Sequence, residues 1–176
     1  MILICYDGSA DARAAIEHGG RLLSGHKATV LTVWHPFRSM AAATPGGFGM
    51  VMIPDVEEID QASADAARDG AQQGAELARQ AGFDAEPASC PIHSTVAEAI
   101  LATAASLDAA AILMGSRGLT GLKSLLLGSV SHGVIQHADR PVIVVPSSEV
   151  ALRRTDARHG TDERDERPES QPYEPA

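Results

Sequence analysis

Short, continuously apolar runs alternate along the chain with longer segments whose apolar residues recur every three or four positions. Residues 2–6, ILICY, are such a run, ended by Asp7, Gly8 and Ser9. Its length and lack of polar alternation predict a strand buried on both faces. Ser9 can cap the next segment, where Ala12, Ala15, Ile16, Gly19, Leu22 and Leu23 keep helical spacing up to Gly25. Residues 28–34, ATVLTVW, are rich in β-branched side chains and predict a second strand that stops near His35 and Pro36. Residues 36–54 hold Gly, Pro and Met with no sustained period, and loops of that length in compact domains are usually functional flaps or mobile segments. Asp55 and Glu58 have capping-box spacing, and an Ala-rich helix is expected from there to Ala81, closed by Gly82.

The second half repeats the alternation. Residues 84–90 predict a weak strand whose Pro87 suits a sheet edge. Thr95 and Glu98 again have capping-box spacing, ahead of Val96, Ala97, Ile100, Leu101 and Ala104 on one helical face. A buried strand at 110–114, a helix at 129–138 and a last strand at 141–146 complete the series. The order β-α-β-loop-α-β-α-β-α-β calls for a parallel sheet with helices on both faces and right-handed crossovers. The expected fold class is therefore α/β, a single doubly wound five-stranded parallel sheet in the order 3-2-1-4-5, occupying residues 1–146. Past Pro146 the composition turns to Arg, Asp, Glu and Pro with almost no large apolar side chains. Residues 147–176 are expected to form a charged, disordered tail, since such a segment cannot bury enough surface to offset its ordering entropy.

Composition narrows the function classes. A chain of 176 residues is long enough for one substantial core and short for two. Only 3% of the residues are aromatic while 44% are hydrophobic, so the core must be built from Ala, Val, Ile and Leu. A net charge of −9 opposes attraction to nucleic acid or to an anionic membrane. Cys5 and Cys90 show neither CxxC nor Cys/His ligand spacing and read as buried free thiols. No signal-peptide core precedes the first strand and no apolar run approaches the roughly 20 residues of a membrane span, so a cytoplasmic location is expected.

In open α/β sheets, ligands collect outside the carboxyl ends of the strands where the strand order reverses. The order 3-2-1-4-5 sets that point between strands 1 and 4, whose ends carry Asp7-Gly8-Ser9 and Gly115-Ser116-Arg117-Gly118. Gly115 and Gly118 let backbone approach a ligand, and Gly128-Ser129 opens a helix whose free N–H groups attract anions. Ser129 and Ser131 can add hydroxyls, and Asp7 can reach a ribose hydroxyl or a magnesium ion held by phosphates. The same residues also have plainer uses: glycines are common at such turns, Ser129 can be an N-cap, Asp7 can bond turn amides, and Arg117 can be a solvated loop arginine. The stretch is neither a Walker A motif nor a dinucleotide fingerprint.

The spacing Gly115-x2-Gly118-x9-Gly128-Ser129 resembles the ATP-binding pattern G-x2-G-x9-G-S/T of the universal stress protein family. The likeness extends through ILMGSRGLTGLKSLLLGSVSHGVIQHADRPVIVVP and to ICYDGSADARAAIEHG at the other end. That resemblance implies an adenine nucleotide α-hydrolase-like fold and a cytoplasmic, ATP-binding sensor or regulator of the stress response. Asp7, Gly8 and Ser9 would lie near the ribose and the phosphates with their magnesium, Asp7 being the metal-side residue. Val33, with Trp34, resembles the segment whose backbone reads adenine, and Met114 would belong to the same cofactor site. Gly115, Arg117, Gly118, Gly128, Ser129, Val130 and Ser131 would line ribose and phosphates. It further implies a homodimer joined through the last strand, Val142, Ile143, Val144 and Val145, and a client protein. A slow ATPase or nucleotidyl-transfer enzyme, and a dimerisation module without nucleotide, are the alternatives. Two departures stand out: residues 89–94 lack the glycine expected there, and the charged tail is additional.

The remaining chemistry-bearing residues are assigned bland roles. His35, His93, His132 and His137 have no HExxH-type spacing and are expected at the surface or the rim. Lys123 is expected either near phosphates or on an exposed helix face. Met40, Met50 and Met52 are expected as adaptable cover for a base or for the neighbouring helix.

Overall fold

The computed structural model describes residues 1–37, 56–119, 127–149 and 151–152. Met40, Met50, Met52, Asp55, Lys123 and the tail beyond residue 152 therefore lie outside the described residues. The elements run β1 (Ile2–Cys5), α1 (Ala10–Leu23), β2 (Lys27–Trp34), α2 (Val56–Gln80), β3 (Asp84–Pro91), α3 (Val96–Ser106), β4 (Ala111–Gly115), α4 (Ser129–His137) and β5 (Val142–Val145). The five strands form one sheet in the order β3-β2-β1-β4-β5, and every pairing is parallel. The expected α/β class and strand order are thus the observed ones. No helix among the described residues is long and apolar enough to cross a membrane.

Continuous apolar runs are explained by the helices on both faces. Because side chains alternate along a strand, Ile2, Ile4 and Tyr6 join Ala15, Ile16, Val30, Ala75 and Ala78 in the layer under α1 and α2. Leu3 faces the other way and packs with Leu31, Ile100, Ala104, Ile112 and Val134 under α3 and α4. Both layers are thin because their side chains are small. At Gly74 of α2 an added Cβ would lie 2.8 Å from both the Tyr6 ring and Val30 Cγ1, so helix and sheet touch at a distance that no larger residue allows. Pro87 sits in β3, which pairs only with β2 and has no partner at its outer side among the described strands. β5 is the opposite edge, and all four of its residues are half-buried.

The helix starts show where capping chemistry departs from spacing. Ser9 Oγ accepts the Ala12 N–H at 3.1 Å, closing α1 as expected. Thr95 Oγ1 accepts the Glu98 N–H at 3.1 Å, but the Thr95 N–H donates to Ser94 Oγ at 2.6 Å. Ser94 takes the place that Glu98 would fill in a full capping box. At α4 the cap is Gly128, with no side-chain cap bond, and Ser129 is the first helical residue.

Candidate functional site

The carboxyl ends of β1 and β4 are neighbours in the sheet, while the chain leaves β1 toward α1 and β4 toward α4. A cleft opens between them. Its cavity volume is about 150 Å³, below the roughly 300–1,000 Å³ of ordinary small-molecule sites, so it would enclose only part of a nucleotide-sized ligand and leave the rest at its open mouth. Two kinds of surface line it. Cys5, Leu31, Val33, Val96, Ile100 and Met114 are apolar, whereas Asp7, Arg117, Gly118, Gly128, Ser129, Val130 and Ser131 supply carboxylate, guanidinium, hydroxyls and backbone.

The β1 turn is built around Gly8, whose φ of +81° lies in the left-handed region open to glycine. That turn lets Asp7 Oδ1 accept the Ser9 N–H at 3.0 Å. The other carboxylate oxygen, Oδ2, would stand 2.7 Å from a Cβ on Gly118. Asp7 therefore bonds its own turn, the plainer of its two expected roles, and also borders the glycine loop. Gly8 and Ser9 themselves do not line the cleft: one shapes the turn and the other caps α1.

The loop after β4 is held from below by Asp11, which is 6% exposed. Its Oδ2 accepts the Ser116 hydroxyl at 2.7 Å and the Arg117 N–H at 3.1 Å, with Arg117 Nε 4.0 Å away. Burial pushes the Asp11 carboxyl up, but hydrogen bonds from the Ser147 side chain, Ser116 and the Ser147 backbone, with the Arg117 charge, outweigh it. The carboxyl is held below its ordinary value. Gly115 permits this contact: an added Cβ would meet the Asp11 carbonyl carbon at 2.7 Å and the Ala12 nitrogen at 2.8 Å. Asp11 had no motif to mark it, and only the fold brings it to the loop.

From the other side, α4 is tied to the same loop. The Gly128 N–H donates to the Ser116 carbonyl at 2.8 Å. The Ser131 hydroxyl lies 2.8 Å from the Ser116 carbonyl oxygen and 3.0 Å from that of Gly128, so its single proton is spent inside the loop. The first intrahelical bond is His132 N–H to the Gly128 carbonyl, at 2.9 Å. The amides of Ser129, Val130 and Ser131 precede it, at the positive end of the helix and beside the cleft. Three such donors form an anion seat of the kind found at helix starts.

Cys5 lies in the apolar part. Burial, reinforced by Asp7 and Cys90, pushes its thiol up to about 12, which makes it an inert wall rather than a nucleophile. His35, His93, His132 and His137 are all exposed. Among the described residues no three His, Cys, Asp or Glu side chains gather closely enough to hold a metal ion, so a cation beside Asp7 would need oxygens from a ligand or water. Tyr6, Ala12, Leu31, Val96 and Ile100 also line the cleft without having been singled out. Strand parity carried the signal for Leu31, which is register-paired with Cys5.

Comparison with known proteins follows the fold. A family model described as the universal stress protein family matches residues 1–146. A universal stress protein of Bacillus subtilis, YxiE, is 31% identical over 147 residues, covering 82% of this chain and 97% of that protein. A solved structure of the hypothetical protein MJ0577 superposes with a TM-score of 0.65 at 24% identity. It covers 82% of this chain and 94% of that one. A universal stress protein of Archaeoglobus fulgidus, solved in complex with dAMP, superposes with a TM-score of 0.52 at 21% identity, over 82% of this chain and 96% of that one.

Proposed function

The chain belongs to the universal stress protein family, and from that premise we propose that it binds an adenine nucleotide, ATP with magnesium, in the cleft between the ends of β1 and β4. One observation carries the reading. The glycines 115, 118 and 128, the first-turn amides of α4 and the Asp7 carboxylate all border a cleft whose other lining is largely apolar. The site fits such a ligand in kind: the amides of Ser129, Val130 and Ser131 suit phosphate oxygens, and Leu31, Val33, Ile100 and Met114 suit a base. The missing side chain at Gly118 lets the Asp7 carboxylate stand against the loop, where a Cβ would lie 2.7 Å from Oδ2. Asp7 is placed to accept from a ribose hydroxyl or to share a magnesium ion with the phosphates. The dAMP complex of the Archaeoglobus fulgidus protein supports adenine as the base.

The bound nucleotide acts as a signal rather than as a substrate. Among the described lining residues Asp7 is the one carboxylate and none is a histidine, while the Cys5 thiol is held protonated. With Asp7 assigned to ribose or metal, those residues offer no separate base for an attacking water, and hydrolysis slower than about 1 s⁻¹, the lower end for dedicated phosphoryl-transfer enzymes, is expected. Residues 1–146 act as the nucleotide-responsive domain, in the cytoplasm and as a homodimer joined at β5, where a second copy would cover the half-buried edge. The charged residues beyond serve a client protein.

Titration calorimetry of the full chain with Mg-ATP tests the reading. Binding in the micromolar to millimolar range is expected, and it should vanish in the Gly118→Ala, Gly128→Ala double variant. Absence of binding to the folded wild type overturns it, and turnover well above 1 s⁻¹ would move the protein into the enzyme class.

A further inference from the structure

We propose that Asp11 is a positioning residue that sets Ser116 and Arg117 for the phosphate end of the ligand, so that the cleft prefers a phosphorylated adenine nucleoside to adenosine itself. This rests on the nucleotide reading above and assigns the preference to a side chain that does not line the cleft.

The start of α1 grips Arg117 by its main chain and by its side chain. Asp11 Oδ2 accepts the Arg117 N–H at 3.1 Å, and the Ser9 hydroxyl donates to the Arg117 carbonyl at 3.4 Å. The same Oδ2 accepts the Ser116 hydroxyl at 2.7 Å and stands 4.0 Å from Arg117 Nε. A loop arginine is ordinarily solvated, yet the Arg117 side chain is 13% exposed and that of Asp11 8%. The two are buried together, and Arg117 also lines the cleft. A guanidinium carries five N–H donors, and Asp11 approaches this one at Nε, which leaves the terminal nitrogens for phosphate oxygens. The hold extends to α4 through a single peptide unit. Its N–H, that of Arg117, is on Asp11, while its carbonyl, that of Ser116, receives the Gly128 N–H and the Ser131 hydroxyl, both at 2.8 Å. Asp11 thus fixes one side of the peptide whose other side holds the helix start with its anion seat.

The charge and the position of Asp11 act on a phosphate in opposite directions. As a bare charge, the carboxylate repels an anion and offsets Arg117, so its removal would tighten ATP binding. As a positioning group, it holds the loop in its binding form before the ligand arrives, and a loop that is no longer held must be ordered at the expense of affinity. Asparagine has the shape of aspartate without the charge, and one of its two terminal atoms donates instead of accepting. The sign of the change in Asp11→Asn therefore separates the two roles. The base end of the cleft, walled by Leu31, Val33, Ile100 and Met114, makes no bond to Asp11, so a ligand without phosphates should not register the change.

The test compares the full chain as wild type, Asp11→Asn, Ser116→Ala and the double variant, with Mg-ATP followed by titration calorimetry and adenosine by the NMR shifts of the cleft amides. Ser116→Ala cuts the 2.7 Å bond while the charge stays, and it carries the test if Asp11→Asn does not fold. Neither side chain lines the cleft. Each single change should weaken Mg-ATP about fivefold or more, the equivalent of one hydrogen bond, while adenosine stays within about twofold of the wild type. The double variant should lose little beyond the larger single loss, since both changes cut one link. Mg-ATP binding that is unchanged or tighter in the folded variants, or a loss that adenosine shares equally, overturns the positioning role and leaves the nucleotide reading standing. The ATP arm alone decides where adenosine binds too weakly to follow. A wild type that binds neither ligand removes the nucleotide reading and the role of Asp11 with it.

Discussion

Replacing Gly115 by alanine isolates the part of the glycine motif that serves the scaffold. The new Cβ would lie 2.7 Å from the Asp11 carbonyl carbon, 2.8 Å from the Ala12 nitrogen and 2.8 Å from Asp11 Cβ. Two of those atoms are backbone in the first turn of α1, so no side-chain rotation relieves the contact and the helix must shift relative to β4. Forcing an extra carbon into a packed site costs about 1–3 kcal/mol. For a chain of this size each kcal/mol lowers the melting temperature by roughly 2–4 °C, giving a fall of about 2–12 °C. The same shift moves Asp11 away from Ser116 and Arg117, whose bonds to it are 2.7 and 3.1 Å, so nucleotide affinity should fall as well. Thermal unfolding followed by circular dichroism, with calorimetry on the folded variant, reads both effects. A Gly115→Ala protein that melts within about 1 °C of the wild type, below the smallest of these shifts, would refute the claim that this glycine lets the first turn of α1 pack directly against the end of β4.

Gly128→Ala is expected to behave in the opposite way, because its Cβ would meet the Arg117 Cα at 3.4 Å and the Ser116 carbonyl oxygen at 3.5 Å. Alanine is a poorer N-cap than glycine by about 0.5–1 kcal/mol, so the melting point should drop by only a few degrees while Mg-ATP affinity falls at least tenfold; equal loss of both would tie this glycine to stability alone. Asp7→Asn keeps an oxygen for the Ser9 N–H but removes the charge, and should lower ATP affinity in magnesium while changing it little in EDTA. Unchanged magnesium dependence would separate Asp7 from the metal. With its thiol pushed up to about 12, Cys5 should carry about a thousandfold less thiolate than an ordinary cysteine, and labelling with iodoacetamide at pH 8 followed by peptide mass spectrometry should leave it unmodified in the folded protein. The Asp11 carboxyl is held below its ordinary 3.8, so it binds protons less readily folded than unfolded. Its contribution to stability is complete above that value and is lost as pH falls through the lower folded one. The stability advantage of the wild type over Asp11→Asn should shrink on acidification below about pH 4, and an advantage that is flat with pH would show that the charge does not matter.

The fold was legible because its signals are local and repeated. Runs such as ILICY and VIVV, separated by segments of helical period, leave few arrangements other than a parallel sheet with covered faces. Pro87 marked an edge strand for the same local reason, and β3 does lie at the edge. The capping-box spacing of Thr95 and Glu98 misled in part, since Ser94, one residue before the cap, competes for the same N–H at no cost in loop closure. The least legible element is Asp11. A charged residue in the first turn of an amphipathic helix reads as a solvated helix start, and nothing within ten residues of it shows that Ser116 and Arg117 converge there. Their sequence separations are set by the crossover topology rather than by any motif. The apolar wall of the cleft was only partly legible: parity with Val33 marks Leu31, but Ile100 looks like every other core residue until strand order puts it under an opening.

The three motif glycines then divide by what their missing side chains admit. At Gly115 the space is taken by α1, at Gly118 by the Asp7 carboxylate, and at Gly128 by no more than ordinary contacts. A single spacing pattern therefore encodes a scaffold contact, a place for a charged side chain, and an opening beside three free amides. The distribution of charge explains why amides matter here. The chain carries a net charge of −9, Asp7 borders the cleft, and the Arg117 guanidinium stands 4.0 Å from the buried Asp11 carboxylate that offsets it. Long-range attraction cannot bring a polyphosphate to such a surface. For the proposed nucleotide what remains is short-range: helix-end N–H groups that act within one turn, and a metal ion that would arrive with the phosphates and neutralise them against Asp7. On that proposal the site would take a chelated nucleotide in preference to free phosphate. It also explains why Asp11, which holds the loop from below without entering the cleft, can be an acid in an anion site.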